Sequence, residues 1–308
     1  MNDKNKLDDY IRRLDGKLKI KNRRNRLHFN VAEELCVYYE QRHYTINLLN
    51  NISYAIFILK VPVHLNLSNC PSISASALVM LFAEVSRARM AKEQDDIVTI
   101  DFPQIRDLPW LYAMSVSYRE YGDLFDKDHV FQTVNDPGKA MASILKLLHK
   151  SGVQLSKPDS RLFTRGVNEA MLNVINHAYI DQDDPLGGIG RRWWQACWVS
   201  EQNGEKVLVY IIYDLGCGIL GSLPKSHPKE LVTEHITRAM SYGVSRTNES
   251  DRGKGTQNME EATEIRTDSL LFIGTNTVAY IKAEGQDATT QINLLPFTGT
   301  LVEWQIKL

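Results

Sequence analysis

Three groups of residues have types and spacing that could do chemistry. In YDLGCGI (Tyr213 to Ile219), Asp214 ends an apolar run and is followed by Gly216 and Gly218. A carboxylate at the end of a buried strand, beside backbone that can be approached closely, can accept a hydrogen bond from an exocyclic amine. In RGKGTQNMEEA (Arg252 to Ala262), Gly253, Gly255 and Thr256 lead into a helix. Glycines that free N–H groups at a helix start form an anion site suited to phosphates. In RGVNEAMLNVINHAYI (Arg165 to Ile180), a helical segment carries Glu169, Asn173, Asn176 and His177. At about 100° per residue the first three share a narrow arc, while Val167, Ala170, Met171, Val174 and Ala178 lie opposite. One face enters a core and the other presents a carboxylate and two amides. On spacing alone a solvated face explains this, since Glu-x3-Asn arises about once by chance in such a length. His177 lies off the arc and reads as a hydrogen-bonded structural residue.

The elements that position these residues follow from periodicity and turn signals. PGKAMASILKLLHKSG has Pro137 at a helix start and Gly152 at its stop. RRWWQACWVS and KVLVYIIYDLG read as two strands, with Asn203-Gly204 as a hairpin turn. KELVTEHITRAMSYG and TQNMEEATEI read as helices. SLLFIGTN, TVAYIKAE and GTLVEWQIKL read as three closing strands. Upstream, VPVHLNLSNC and DDIVTIDFP read as strands flanking a helix, SASALVMLFAEVSRARMAKEQ, with Ser74 as its N-cap. Strand, helix, strand with short joints predicts a parallel βαβ unit. The apolar run ISYAIFILKVPVHL reads as buried strand. It is broken by Lys60 and Pro62, too short for the roughly 20 apolar residues of a membrane span. RDLPWLYAMSVSYREYGDLFDKDH has no clean period, and a domain boundary is placed near residue 130.

With 308 residues, 43% hydrophobic and 24% charged, the chain has room for two domains. A net charge of −1 disfavours the chain as a whole as a polyanion binder. The four cysteines, Cys36, Cys70, Cys197 and Cys217, include no CxxC pair, which disfavours a structural zinc or redox motif. Scattered thiols and a polar N-terminus without a signal predict a cytoplasmic setting. KLKIKNRRNR (Lys17 to Arg26) is basic. A solvated surface segment is the favoured reading, and the segment 17–26 leaves nucleic acid or an acidic partner open.

The ordered set of elements over about residues 135–308 resembles the GHKL (Bergerat-fold) ATP-binding family. That family includes gyrase B, MutL, the ninety-kilodalton heat-shock chaperones, histidine kinases and anti-sigma serine kinases. The shared order is a helix with Glu-x3-Asn, a strand with Asp-x-Gly-x-Gly, a polar lid, Gly-x-Gly-Thr at a helix, and closing strands with Gly-Thr. The resemblance implies ATP and Mg2+ as cofactors. It implies Asn173 as the Mg2+ ligand, Glu169 as the general base, and Asp214 on the adenine amine, with Gly216 and Gly218 giving the base room. Thr300 would support the adenine through water, and Gly253, Gly255 and Thr256 would line the triphosphate. Asn176 would add a polar contact, and Arg246, Arg252 and Lys254 would reach phosphates from a lid at about 220–252. Magnesium keeps several waters, so one amide oxygen plus phosphates is enough ligation. A glutamate one turn earlier can hold the attacking water. Cys217 reads as a small residue that fits between the glycines.

VPVHLNLSNCPSISASALVMLFAEVSRAR resembles the STAS fold of anti-sigma antagonists. In that family the helix-opening loop carries a phosphorylated serine. Here Ala75 stands at that position and Ser74 at its aspartate, with Ser76 a neighbouring hydroxyl, so a degenerate interaction domain is implied. The expected fold is therefore α/β: a basic segment over 1–28, a STAS-like domain over 29–130, and a GHKL sandwich over 131–308 with a mixed sheet and helices on one face.

Three functions remain open: an ATPase whose nucleotide state switches a lid and a partner contact, a serine/threonine kinase of the anti-sigma type, and a non-hydrolysing ATP-binding module. A histidine kinase is disfavoured by the lack of a dimerising helix pair with a phosphoacceptor histidine. With Leu308 soon after the final strand, no trailing domain supplies a cation to the γ-phosphate. Slow turnover raised by a protein partner or self-association is therefore expected.

Overall fold

The computed structural model describes residues 3–14, 18–104, 108–180, 186–202, 204–241 and 255–308. The chain is α/β and contains a four-stranded mixed sheet and a five-stranded antiparallel sheet. It divides into two compact units, Met1–Tyr121 with Gly187–Ile189, and Gly122–Leu186 with Gly190–Leu308. Among the described residues, no helix is long and apolar enough to cross a membrane.

The first unit begins with α1 (Asp3–Arg13) and a hairpin, β1 (Lys19–Arg23) and β2 (Arg26–Asn30). Its two turn residues, Arg24 and Asn25, both have positive φ, 52° and 60°. That conformation matches the twist of a two-residue hairpin. The basic segment 17–26 is thus largely built into a sheet, as an edge strand and the start of its neighbour. After α2 (Arg42–Ser53) come β3 (Val63–Asn66), α3 (Ala75–Lys92) and β4 (Val98–Asp101), with β2, β3 and β4 parallel. This is the expected βαβ unit.

Leu27, Phe29, Val63, Leu65 and Val98 are buried, and α3 is apolar through Ala77–Ala83. Ser74 holds the N-cap position with extended backbone, but its hydroxyl makes no cap bond. Ser76 is fully buried. The run ISYAIFILKVPVHL is not one strand: it ends α2, makes a π-turn at Tyr54–Ile58, reverses at Lys60 (φ 57°), and only then enters β3. A short apolar run fits a buried helix end as well as a strand, and here both occur. α4 (Leu108–Ser115) packs on α3, with Trp110 Nε1 donating to the Leu78 carbonyl at 3.0 Å.

The second unit takes all but the first residue of α5 (Tyr121–Asp126), then β5 (Phe131–Val134), α6 (Pro137–Lys150), α7 (Lys157–Asn173), β6 (Trp193–Gln202), β7 (Glu205–Tyr213), α8 (Ile219–Ser222), α9 (Val232–Met240), α10 (Gly255–Glu261), β8 (Leu270–Ala283) and β9 (Thr289–Lys307). The strand order is β5-β6-β7-β9-β8, antiparallel throughout. The mixed sheet expected here belongs instead to the first unit. SLLFIGTN and TVAYIKAE are one strand, β8, with register shifts at Thr275–Val278, and β9 begins ten residues before Gly299. Asp136 caps α6 through Lys139 N, and Gly152 leaves it at φ 68°.

Helices α7 and α10 cover one sheet face. Phe163 meets Tyr210 edge-on at 6.1 Å, Tyr210 stacks on Trp304 at 5.7 Å, and Trp304 Nε1 donates to the Met259 carbonyl at 2.9 Å. Gly166 lets α10 approach: a Cβ there would lie 2.8 Å from the Asn258 carbonyl oxygen.

Candidate nucleotide site

Glu169 and Asn173 lie three and seven residues beyond Gly166, so they continue the stripe of α7 that α10 packs against. Both are half-buried. Burial pushes the Glu169 carboxyl above its ordinary range, and no hydrogen bond to another described residue offsets it. Asn176 is exposed. The reason is local: α7 ends at Asn173 and Val174–Ala178 form a π-turn. The wider turn breaks the 100° count beyond Asn173, so Asn176 drifts from the arc its spacing predicts.

Asp214 follows β7 and is 3% exposed. Its backbone N–H donates to the Thr300 carbonyl at 3.0 Å, which extends the β7–β9 ladder. Its Oδ1 accepts from Gly216 N at 2.8 Å. Burial outweighs the opposing pull of Gly216 and Thr300 and lifts the carboxyl to about 7. An ionised carboxylate offers about four lone-pair sites, more than the Gly216 N–H occupies.

The glycines after Asp214 serve packing within the protein. A Cβ on Gly216 would run into the Ala178 carbonyl, and one on Gly218 into the Asn276 side chain. On the side where a Cβ would stand, these two positions meet the end of the α7 segment and β8. The loop is clamped from both sides. Cys217 N donates to Ala178 O at 2.8 Å, Ile219 N to Thr275 Oγ1 at 2.9 Å, and Leu220 N to Asn276 Oδ1 at 3.1 Å. Asn276 Nδ2 returns a bond to the Cys217 carbonyl at 3.0 Å. Tyr179 OH accepts from Leu215 N at 3.3 Å and donates to the Arg192 carbonyl at 2.6 Å. Cys217 donates weakly to the His177 carbonyl, Sγ to O 3.4 Å.

Sequence reasoning missed Thr275, Asn276, Ala178 and Tyr179. The available signal was Thr-Asn at the break in an otherwise apolar strand, which marks the bulge where Asn276 takes φ 48°.

Thr256 sits at the start of α10, after Gly255, and its hydroxyl donates to the Ala239 carbonyl at 3.0 Å. It therefore joins α10 to α9. Arg246, Arg252, Gly253 and Lys254 lie outside the described residues. Of the lid expected over 220–252, the described part folds on itself. Glu230 accepts from Arg238 Nε at 2.7 Å and Nη2 at 3.1 Å, and from Ser226 N at 2.8 Å. The bonds from Arg238 hold the Glu230 carboxyl down at about 2.

Among the described residues, no cluster of three or more His, Cys, Asp or Glu side chains could hold a metal. The donor types nevertheless suit a magnesium nucleotide at three positions: the Asn173 amide, the half-buried Glu169 carboxylate and the buried Asp214 carboxylate. No protein-family model matches the chain, and no curated protein matches it.

Proposed function

We propose that the second unit binds ATP with Mg2+ and hydrolyses it slowly, with a protein partner or self-association raising the rate. The observation that carries this reading is Asp214, a buried carboxylate at a strand end whose Oδ1 accepts from Gly216 N. It lies in a loop clamped to the carbonyl of Ala178, five residues past Asn173 on the same helical segment. Asp214 holds the exocyclic amine of adenine. Asn173 holds the cation, which neutralises charge on the phosphates when bound. Glu169, its carboxyl raised by burial, accepts a proton from the attacking water. Thr300, whose carbonyl accepts the Asp214 N–H, supports the adenine through water.

Nucleotide selectivity tests this reading. ATP should bind in preference to GTP, whose base presents a carbonyl where adenine presents its amine, and Asp214→Asn should erase the preference. Equal binding of both nucleotides by the wild-type chain sinks the assignment of Asp214. The kinase alternative is separated by following a labelled γ-phosphate: release as free phosphate supports the ATPase, and transfer to a second protein supports the kinase.

A further inference from the structure

We propose that the open face of the first unit's sheet binds single-stranded nucleic acid, through the cationic β1–β2 hairpin and the adjoining imidazole pair His28–His64. Strand alternation sorts the sheet's side chains. Ile20, Leu27, Phe29, Val63, Leu65 and Val98 are buried on one side. The other side is polar throughout. Lys19, Lys21 and Arg23 alternate along β1 and are exposed, and Arg23 pairs with Arg26 across the hairpin. Side chains two apart on a strand repeat at roughly 7 Å, a step that suits successive phosphates on an extended strand.

Next to this row, Lys21, His28, His64 and Thr99 stand opposite one another on successive strands. The two imidazole rings lie 4.7 Å apart, and His64 is fixed by Thr99 Oγ1 at 2.9 Å and Asp101 Oδ2 at 3.2 Å. Asp101 is the only carboxylate in these four strands, and it is engaged by His64. The charge is thus local even though the chain's net charge is −1. Burial first, then His64, Arg23 and Arg26, holds the His28 imidazole below its ordinary range, which outweighs the opposing pull of Asp101. Cations crowded this way gain by meeting an anion.

An acidic peptide would satisfy the charges. It would not use the ring faces of the imidazoles, which suit base stacking.

The test is fluorescence anisotropy of a short labelled single-stranded oligonucleotide with the full-length chain. A saturating non-hydrolysable ATP analogue is included so that the nucleotide site is not the one read. Binding should weaken with salt. Lys21→Ala/Arg23→Ala should weaken it at least tenfold and reduce the slope of log K against log salt by about 1.4, two phosphates at about 0.7 each. His28→Ala/His64→Ala should weaken it with the slope retained. Lys21 and Arg23 are exposed, so circular dichroism should show the first variant folded. No anisotropy change at about 100 μM protein and about 50 mM salt overturns the proposal. So does unaltered affinity in both variants, or equal affinity for polyglutamate, which would assign the face to an acidic polypeptide.

Discussion

Gly299 lies against Asp214 so closely that any side-chain carbon on Gly299 would collide with the Asp214 carbonyl, and its φ of 70° already favours glycine. Asp214 is therefore held from β9 at two successive residues, by the close approach of Gly299 and by the bond from its N–H to the Thr300 carbonyl. Gly299→Ala should destabilise the second unit by about 3 kcal/mol, combining left-handed backbone strain with overpacking. Gly285→Ala is the control: φ is 67° but nothing lies within 4 Å, so about 1 kcal/mol is expected. Denaturant unfolding followed by tryptophan emission reads the difference, since Trp193, Trp194, Trp198 and Trp304 all belong to this unit. Equal costs at the two glycines would remove the close-approach explanation.

The Asp214 carboxyl sits at about 7 in the folded chain, above the ordinary 3.8. The folded state keeps this proton between about pH 4 and 7, where the unfolded chain has lost it. Asp214 thus contributes stability that is present below about pH 4 and lost as pH rises through about 7. In Asp214→Asn the stability of the second unit should fall less between those values. For ligand binding the direction reverses: an amine donor needs the ionised form, so ATP affinity should rise with pH through about 7. Affinity that is flat from pH 6 to 8 would contradict the assignment.

Glu169 and Asn173 should separate chemistry from binding. Glu169→Ala should leave nucleotide affinity intact and lower turnover by about 10²–10⁴-fold. Asn173→Ala should remove the part of the affinity that depends on magnesium. Turnover unchanged in the first variant, or an unaltered magnesium dependence in the second, would withdraw those roles.

The Glu230–Arg238 pair pins the loop after α8 to α9. Because its folded value of about 2 lies below the ordinary 4.5, Glu230 stabilises the fold above about pH 4.5, and this is lost as pH falls through about 2. Arg238→Ala should raise amide exchange across residues 224–230 at neutral pH. The difference between the variant and the wild type should narrow as pH falls towards 2.

Much of the second unit was legible because its signals are local. Pro137 and Gly152 bound α6 as their backbone preferences dictate, and Gly204 turns the β6–β7 hairpin at φ 81°. The end of β7 at Asp214 was visible as a long apolar run meeting a carboxylate and glycines. What escaped depends on contacts distant in sequence. A π-turn differs from an α-turn by one hydrogen-bond step, and nothing in NVINHA marks that step. The packing role of Gly216 and Gly218 appears only when Ala178 and Asn276 are brought against them. The fusion of SLLFIGTN and TVAYIKAE into one bulged strand needed β9 as a partner. In the first unit, KLKIKNRRNR looked like a solvated arm because alternating lysines obscure a strand whose apolar partners, Leu18 and Ile20, are few.

The most direct measurement is calorimetric titration of the intact chain with a non-hydrolysable ATP analogue, with and without magnesium. Saturable binding of one nucleotide per chain, strengthened by magnesium and lost in Asp214→Ala, is predicted. No heat of binding at two temperatures, or binding that Asp214→Ala leaves unchanged, would contradict an adenine nucleotide held by Asp214.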